Sequence, residues 1–150
     1  MMTDAAPTPI RRRLVLAVLA AATVGLGLLV HRSVSGPVGD VVGDGLYAVL
    51  IYLLAAFVAP RARPLRPALI AFTICAGIEL LQLTGLPRLW TAEFPPIGLV
   101  LGAGFDPRDL VVYAVAVIAA AVVDETIARR RGSRAPGNAT GRPPEGERPV

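Results

Sequence analysis

Six side chains in this sequence have the types and spacing to grip a polar ligand: Asp44, Glu79, Gln82, Arg88, Asp106 and Asp109. Glu79 and Gln82 stand three positions apart inside an apolar run, so on a helix they project from one face. Asp44 follows Asp40 by four positions, which stacks the two carboxyls one helical turn apart. Asp106 and Asp109 flank Pro107-Arg108 just before another apolar run. Ionisable groups placed in a bilayer are expensive, and they face a bundle interior or a wet cavity. Acids crowded together there favour a shared proton or a bound cation. With Arg32, Arg88 and Arg108 as counter-charges, such a pocket could hold a phosphate, a sugar or a cation.

Each of these residues also has a plainer reading. Asp106-Pro107-Arg108-Asp109 reads as a helix start, with Asp106 at the N-cap, proline in the first helical position and Asp109 closing a capping box. Glu79 and Gln82 could tie one helix to its neighbour by hydrogen bonds, Asp40 could be a surface turn residue, and Trp90 suits a headgroup belt. Cys75, the only cysteine, sits in an apolar run as a small buried hydrophobe, and with His31 as the only histidine it makes no zinc site. No nucleophile–base pairing is visible. Gly102-Ala103-Gly104 precedes an apolar run instead of following a strand, so it is no dinucleotide fingerprint. The sequence implies no cofactor, and nothing in it requires enzymatic activity.

The elements that must position these groups are apolar helices. Hydrophobic residues make up 54% of the 150, the mean hydropathy is +0.61, and the apolar residues come in long runs. Leu14–Val30 is a charge-free run that would extend about 26 Å as a helix. Further runs cover Val41–Ala59, Pro67–Leu86 and Leu110–Ile127. The expected fold is all-α, an integral-membrane four-helix bundle, with Pro87–Phe105 as an interfacial or re-entrant loop because it is too short to span. In that frame Glu79 lies about seven residues, or roughly 10 Å, from the end of the third run. Small residues at four-residue spacing (Ala17, Ala21 and Gly25 in the first run, Ala116 and Ala120 in the fourth) would let helices pack closely. Residues 1–10 and 132–150 are expected to be disordered.

Charge gives the orientation. All 15 basic residues are arginine. Arg11–Arg13, Arg61, Arg63, Arg66, Arg129–Arg131 and Arg134 fall on one side of the spans, and only Arg32, Arg88 and Arg108 on the other. The positive-inside rule then puts both termini in the cytoplasm. The first run preceded by arginines also has the form of a secretory signal, but three further runs favour an uncleaved span. Asp40, Asp44, Glu79, Glu93, Asp106 and Asp109 all fall on the opposite, outer side, so a net charge of +4 conceals an acidic outer face. No basic face interleaved with aromatics is present, which argues against a nucleic-acid partner.

Gly43-Asp44 followed by Tyr52, then Glu79-x-x-Gln82, Leu101-Gly102, Phe105-Asp106-x-x-Asp109 and Tyr113, resembles the bacterial membrane family of domain of unknown function 2809 (DUF2809). More distantly the pattern is similar to VanZ-like proteins. The resemblance spans about residues 12–127, and Ala116 stands where the family pattern leads one to expect glycine. It implies a membrane bundle without an established activity, and the VanZ-like likeness implies a role in the cell envelope. The function expected is an outer-leaflet pocket that binds a lipid or glycolipid headgroup, with membrane lipids as partners and a homo-oligomer in reach. A proton- or cation-coupled transporter acting as an oligomer, or a structural partner protein, are the alternatives.

Overall fold

Leucine, alanine and valine fill the long runs, and glycine and proline mark their ends. The computed structural model describes residues 9–102 and 104–132; among them there is no strand. Helix α1 (Pro9–Ser33) begins on a proline, which needs no partner for a missing N–H. The chain then turns at Gly36, whose φ of 83° only glycine adopts readily, and α2 (Pro37–Val58) again starts on proline. Pro60 stops α2, and α3 (Leu65–Gln82) runs back. Two short helices, α4 (Leu86–Glu93) and α5 (Gly98–Leu101), joined by a 3₁₀ turn at Pro95–Ile97, lead into α6 (Pro107–Gly132).

The third helix stops at Gln82, four residues before the expected Leu86. The cause is local. The Thr84 hydroxyl donates to the Leu81 carbonyl at 2.7 Å and accepts from the Leu86 amide at 3.2 Å, and Gly85 takes a left-handed φ of 74°. Glu79 therefore sits only one turn from the helix end. Of the termini expected to be disordered, Pro9 and Ile10 open α1 and Gly132 closes α6; residues 1–8 and 133–150 lie outside the described residues.

α1, α2, α3 and α6 are each long and apolar enough to cross a membrane. Only 11–33% of the most apolar window of each is buried within the protein, so lipid must solvate the rest. The chain is a membrane-embedded helical protein. α2, α3 and α6 pack on one another, whereas α1 packs along α2 alone. The core is built on small side chains, Ala48, Ala56 and Ala71, each no more than 1% exposed, with Tyr52, Cys75, Tyr113 and Val117 between them. Alanines at these positions let the backbones approach where no water drives helices together. Ala116 and Ala120 of α6 do pack against this core. The stripe Ala17, Ala21, Gly25 does not: it faces outward, and Leu16 and Ala20, one position earlier, are buried. Small residues recur on several faces of α1, so their spacing could not single out the packed one.

The antiparallel path gathers Arg11–Arg13, Arg61, Arg63, Arg66, Arg129 and Arg130 at one end of the bundle, and Asp40, Asp44, Glu79, Asp106 and Asp109 at the other. At the arginine end a polar knot joins four segments. Arg12 donates to Asp124 Oδ2 at 2.8 Å and to the Pro60 carbonyl at 2.6 Å, and the Tyr52 hydroxyl donates to the same Asp124 oxygen at 3.0 Å. Arg13 lies over the Phe57 ring, 5.9 Å from its centre. The α1 and α6 backbones do not meet among the described residues, and the Arg12–Asp124 pair bridges the two helices. Asp124→Ala is expected to lower stability by about 1.5–3 kcal/mol, the range for a hydrogen-bonded charge left without its partner. Unfolding in detergent should show it, and Arg12→Ala added to that variant should cost little more.

Candidate functional site

The acidic end is assembled by the core stripe of α3. Ala68, Ala71, Cys75, Glu79 and Gln82 follow one another at three- and four-residue steps and are all buried, so the carboxyl and the amide occupy core positions. Glu79 is 0% exposed. Its Oε1 accepts the backbone N–H of Asp106 at 2.5 Å. Gln82 Nε2 donates to the Leu101 carbonyl at 2.6 Å and draws the end of α5 down onto α3. Gly102 makes this possible: its φ is 69°, and a Cβ there would stand 2.5 Å from Gln82 Nε2. The loop expected to lie at the interface is thus tied into the bundle by a core side chain.

The start of α6 departs from the capping box. Asp106 does cap: its Oδ1 accepts the Arg108 N–H at 2.9 Å, and its carbonyl accepts the Asp109 N–H at 2.9 Å. In a capping box the N3 acid would reach back to the N-cap amide. Here Glu79, from another helix, holds that amide, which frees the Asp109 carboxyl. That carboxyl faces the cavity that Asp44 of α2 also lines, and the two acids interact there. Asp109 Oδ1 has no hydrogen-bond donor; Arg108 Nε stands 4.0 Å away, too far for a hydrogen bond. Gln82 Oε1 is likewise buried without a donor, and Glu79 Oε2 has none at hydrogen-bond distance, although the Tyr113 side chain lies beside the Glu79 carboxyl. Tyr113, 5% exposed and one turn beyond Asp109, packs beside this group.

Above the cluster a cavity of about 710 Å³ opens between α1, α2, α5 and the start of α6. Its polar lining includes Asp40, Asp44, Gln82, Asp106, Arg108 and Asp109. Val24 and Leu28 of α1 and Leu99 and Val100 of α5 supply apolar wall. Among the described residues no three His, Cys, Asp or Glu side chains are arranged to hold a metal ion.

Of the six residues singled out in the sequence, Asp44, Gln82, Asp106 and Asp109 line this cavity. Glu79 lies outside its lining and positions the Asp106 amide. Arg88 is also not in the lining; its guanidinium lies over Gly104, where a Cβ would come within 2.7 Å of Nη2. Arg108 is the arginine that faces the cavity. Sequence reasoning missed the α1 wall, because no polar spacing in α1 marks it. It also gave Tyr113 no role in the site, although four-residue spacing from Asp109 places the two on one face.

Residues 34–117 match the family described as "Protein of unknown function (DUF2809)". The chain belongs to the DUF2809 family. No curated protein and no solved structure matches it. The DUF2809 match runs from the turn before α2 to the middle of α6 and includes every member of the acidic cluster; Arg12 and Asp124 fall outside it.

The geometry separates two roles for Glu79 that one substitution pair resolves. Glu79→Gln keeps an oxygen for the Asp106 amide and is expected to fold with nearly the stability of the parent. Glu79→Ala leaves that amide without its acceptor and is expected to lose about 1.5–3 kcal/mol, measured as a lowered midpoint in detergent unfolding.

Proposed function

We propose that this DUF2809 protein is a multi-pass protein of the bacterial inner membrane, with the arginine end in the cytoplasm, whose acidic end binds the polar headgroup of a lipid or glycolipid. The observation that carries this reading is the cavity itself. It pairs a polar floor of Asp44, Gln82 and Asp109 with apolar wall from α1 and α5. A headgroup that continues into acyl chain needs both surfaces side by side. Segregation of arginine to the opposite end supports the orientation through the positive-inside rule. A role in the cell envelope fits a headgroup site on the outer leaflet.

A second reading is favoured by one contact. Asp44 and Asp109 place two carboxyls together at a cavity wall, an arrangement suited to taking up and releasing a proton or cation. A four-span chain working as a coupled transporter would do so as an oligomer.

Lipid analysis of the protein in native-membrane nanodiscs separates the two. Headgroup binding predicts that one lipid class is enriched with the parent protein and depleted in Asp44→Asn/Asp109→Asn, a pair that keeps side-chain volume. Identical lipid profiles from two folded samples, together with proton flux in proteoliposomes that disappears in the same variant, would replace the first reading by the second.

A further inference from the structure

The chemistry of the unmet groups narrows the ligand class, on the reading that the cavity holds a headgroup. The buried side-chain atoms of the cavity lining that lack a hydrogen-bond partner among the described residues are both oxygen acceptors, Gln82 Oε1 and Asp109 Oδ1. Gln82 is the decisive one. It is 9% exposed, it lines the cavity, and its Nε2 is committed to the Leu101 carbonyl at 2.6 Å, so the amide cannot turn over to offer a donor. A buried acceptor without a donor carries the full cost of its lost hydration. A phosphate or sulfate would bring only more acceptors to this floor. The missing chemistry is donors.

Charge chooses among donors. Asp40, Asp44, Asp106 and Asp109 line the cavity, against Arg108 and His31, so the acids outnumber the bases there. Arg108 is itself drawn toward carboxylates, standing 3.5 Å from Asp106 and 4.0 Å from Asp109. A neutral polyol would supply hydroxyls but leave this excess of negative charge unbalanced, whereas an ammonium supplies both donors and charge. A bare metal ion is a poor fit, since no group of three ligands is arranged for one among the described residues and the cavity of about 710 Å³ is far larger than an ion.

We infer that the cavity takes a primary ammonium carried by a lipid headgroup, with the N–H donors directed to the Asp44–Asp109 carboxyls above Gln82. Arg108, half-exposed at the cavity, is placed to meet the phosphate of a zwitterionic headgroup.

The test uses the full chain in nanodiscs of phosphatidylcholine, whose quaternary ammonium has charge but no N–H. Small equal amounts of phosphatidylethanolamine, its N-acetyl derivative, phosphatidylglycerol and a diglucosyl lipid are added, and the lipid retained by the purified protein is read by mass spectrometry. Phosphatidylethanolamine should be retained about tenfold over its N-acetyl derivative, and Asp44→Asn/Asp109→Asn should remove that preference, the change expected for one charge-assisted hydrogen bond. Gln82→Leu, which removes the acceptor and keeps an apolar core side chain, should reduce it. Retention of phosphatidylglycerol or the diglucosyl lipid instead would overturn the ammonium and leave headgroup binding standing. No lipid retained above the carrier, with soluble ethanolamine binding measured by calorimetry, would keep the ammonium and overturn the lipid. No retention and no ethanolamine binding would overturn both.

Discussion

One hydrogen bond organises the acidic end of this protein: Glu79 Oε1, buried in the core of α3, accepts the backbone amide that opens α6. A helix start leaves N–H groups without intrahelical partners, and a membrane offers little water to satisfy them. Drawing the acceptor from a different helix has two consequences. It fixes where α6 begins relative to α3, and it releases the acid that local capping would have consumed. Asp109 is then available to face Asp44, and the second turn of α2 becomes part of the same cluster. Gln82, one turn further along α3, does the corresponding work for α5 by holding the Leu101 carbonyl. Two polar residues on one core stripe thus position the start of α6 and the end of α5 around one cavity.

The opposite end is held by a different device. α1 packs on α2 alone and offers lipid most of its apolar surface, so apolar contact does little to fix it against α6. Arg12 reaches across to Asp124, which also receives the Tyr52 hydroxyl, and caps the Pro60 carbonyl where proline ends α2. The placement of α1 matters to the site, because Val24 and Leu28 form one wall of the cavity. A salt bridge at one end of the bundle therefore supports the shape of a cavity at the other.

Much of the architecture was legible because a bilayer imposes few solutions: long apolar runs must be helices, and Gly36-Pro37, Pro60 and Pro107 mark where they stop or start. The helix end at Gln82 was not, since Leu83 and Leu86 prolong the apolar run on either side of Thr84-Gly85, and the turn at that pair breaks it. The acidic cluster was visible as residue types at a common depth. Its internal connections were hidden: Asp106-Pro107-Arg108-Asp109 satisfies a local capping pattern on its own, and nothing local reveals that Glu79, 27 residues earlier, supplies the acceptor. Arg88 and Arg108 looked equivalent as counter-charges. Only the path of α4 sets Arg88 over Gly104 and leaves Arg108 at the cavity. In the same way Arg12 and Asp124 read as ordinary end charges until the fold brought them together.

The central claim is that Glu79 of α3 holds the amide at the start of α6. Solid-state NMR in lipid, with ¹⁵N at Asp106 and ¹³C in the Glu79 carboxyl, tests it without altering the protein. A contact of 2.5 Å between Glu79 Oε1 and the Asp106 nitrogen puts the labelled carbon one C–O bond further off, near enough for a measurable dipolar dephasing between the two labels. A coupling at background level in a folded, lipid-embedded sample would contradict the account, and the release of Asp109 toward Asp44 would lose its cause.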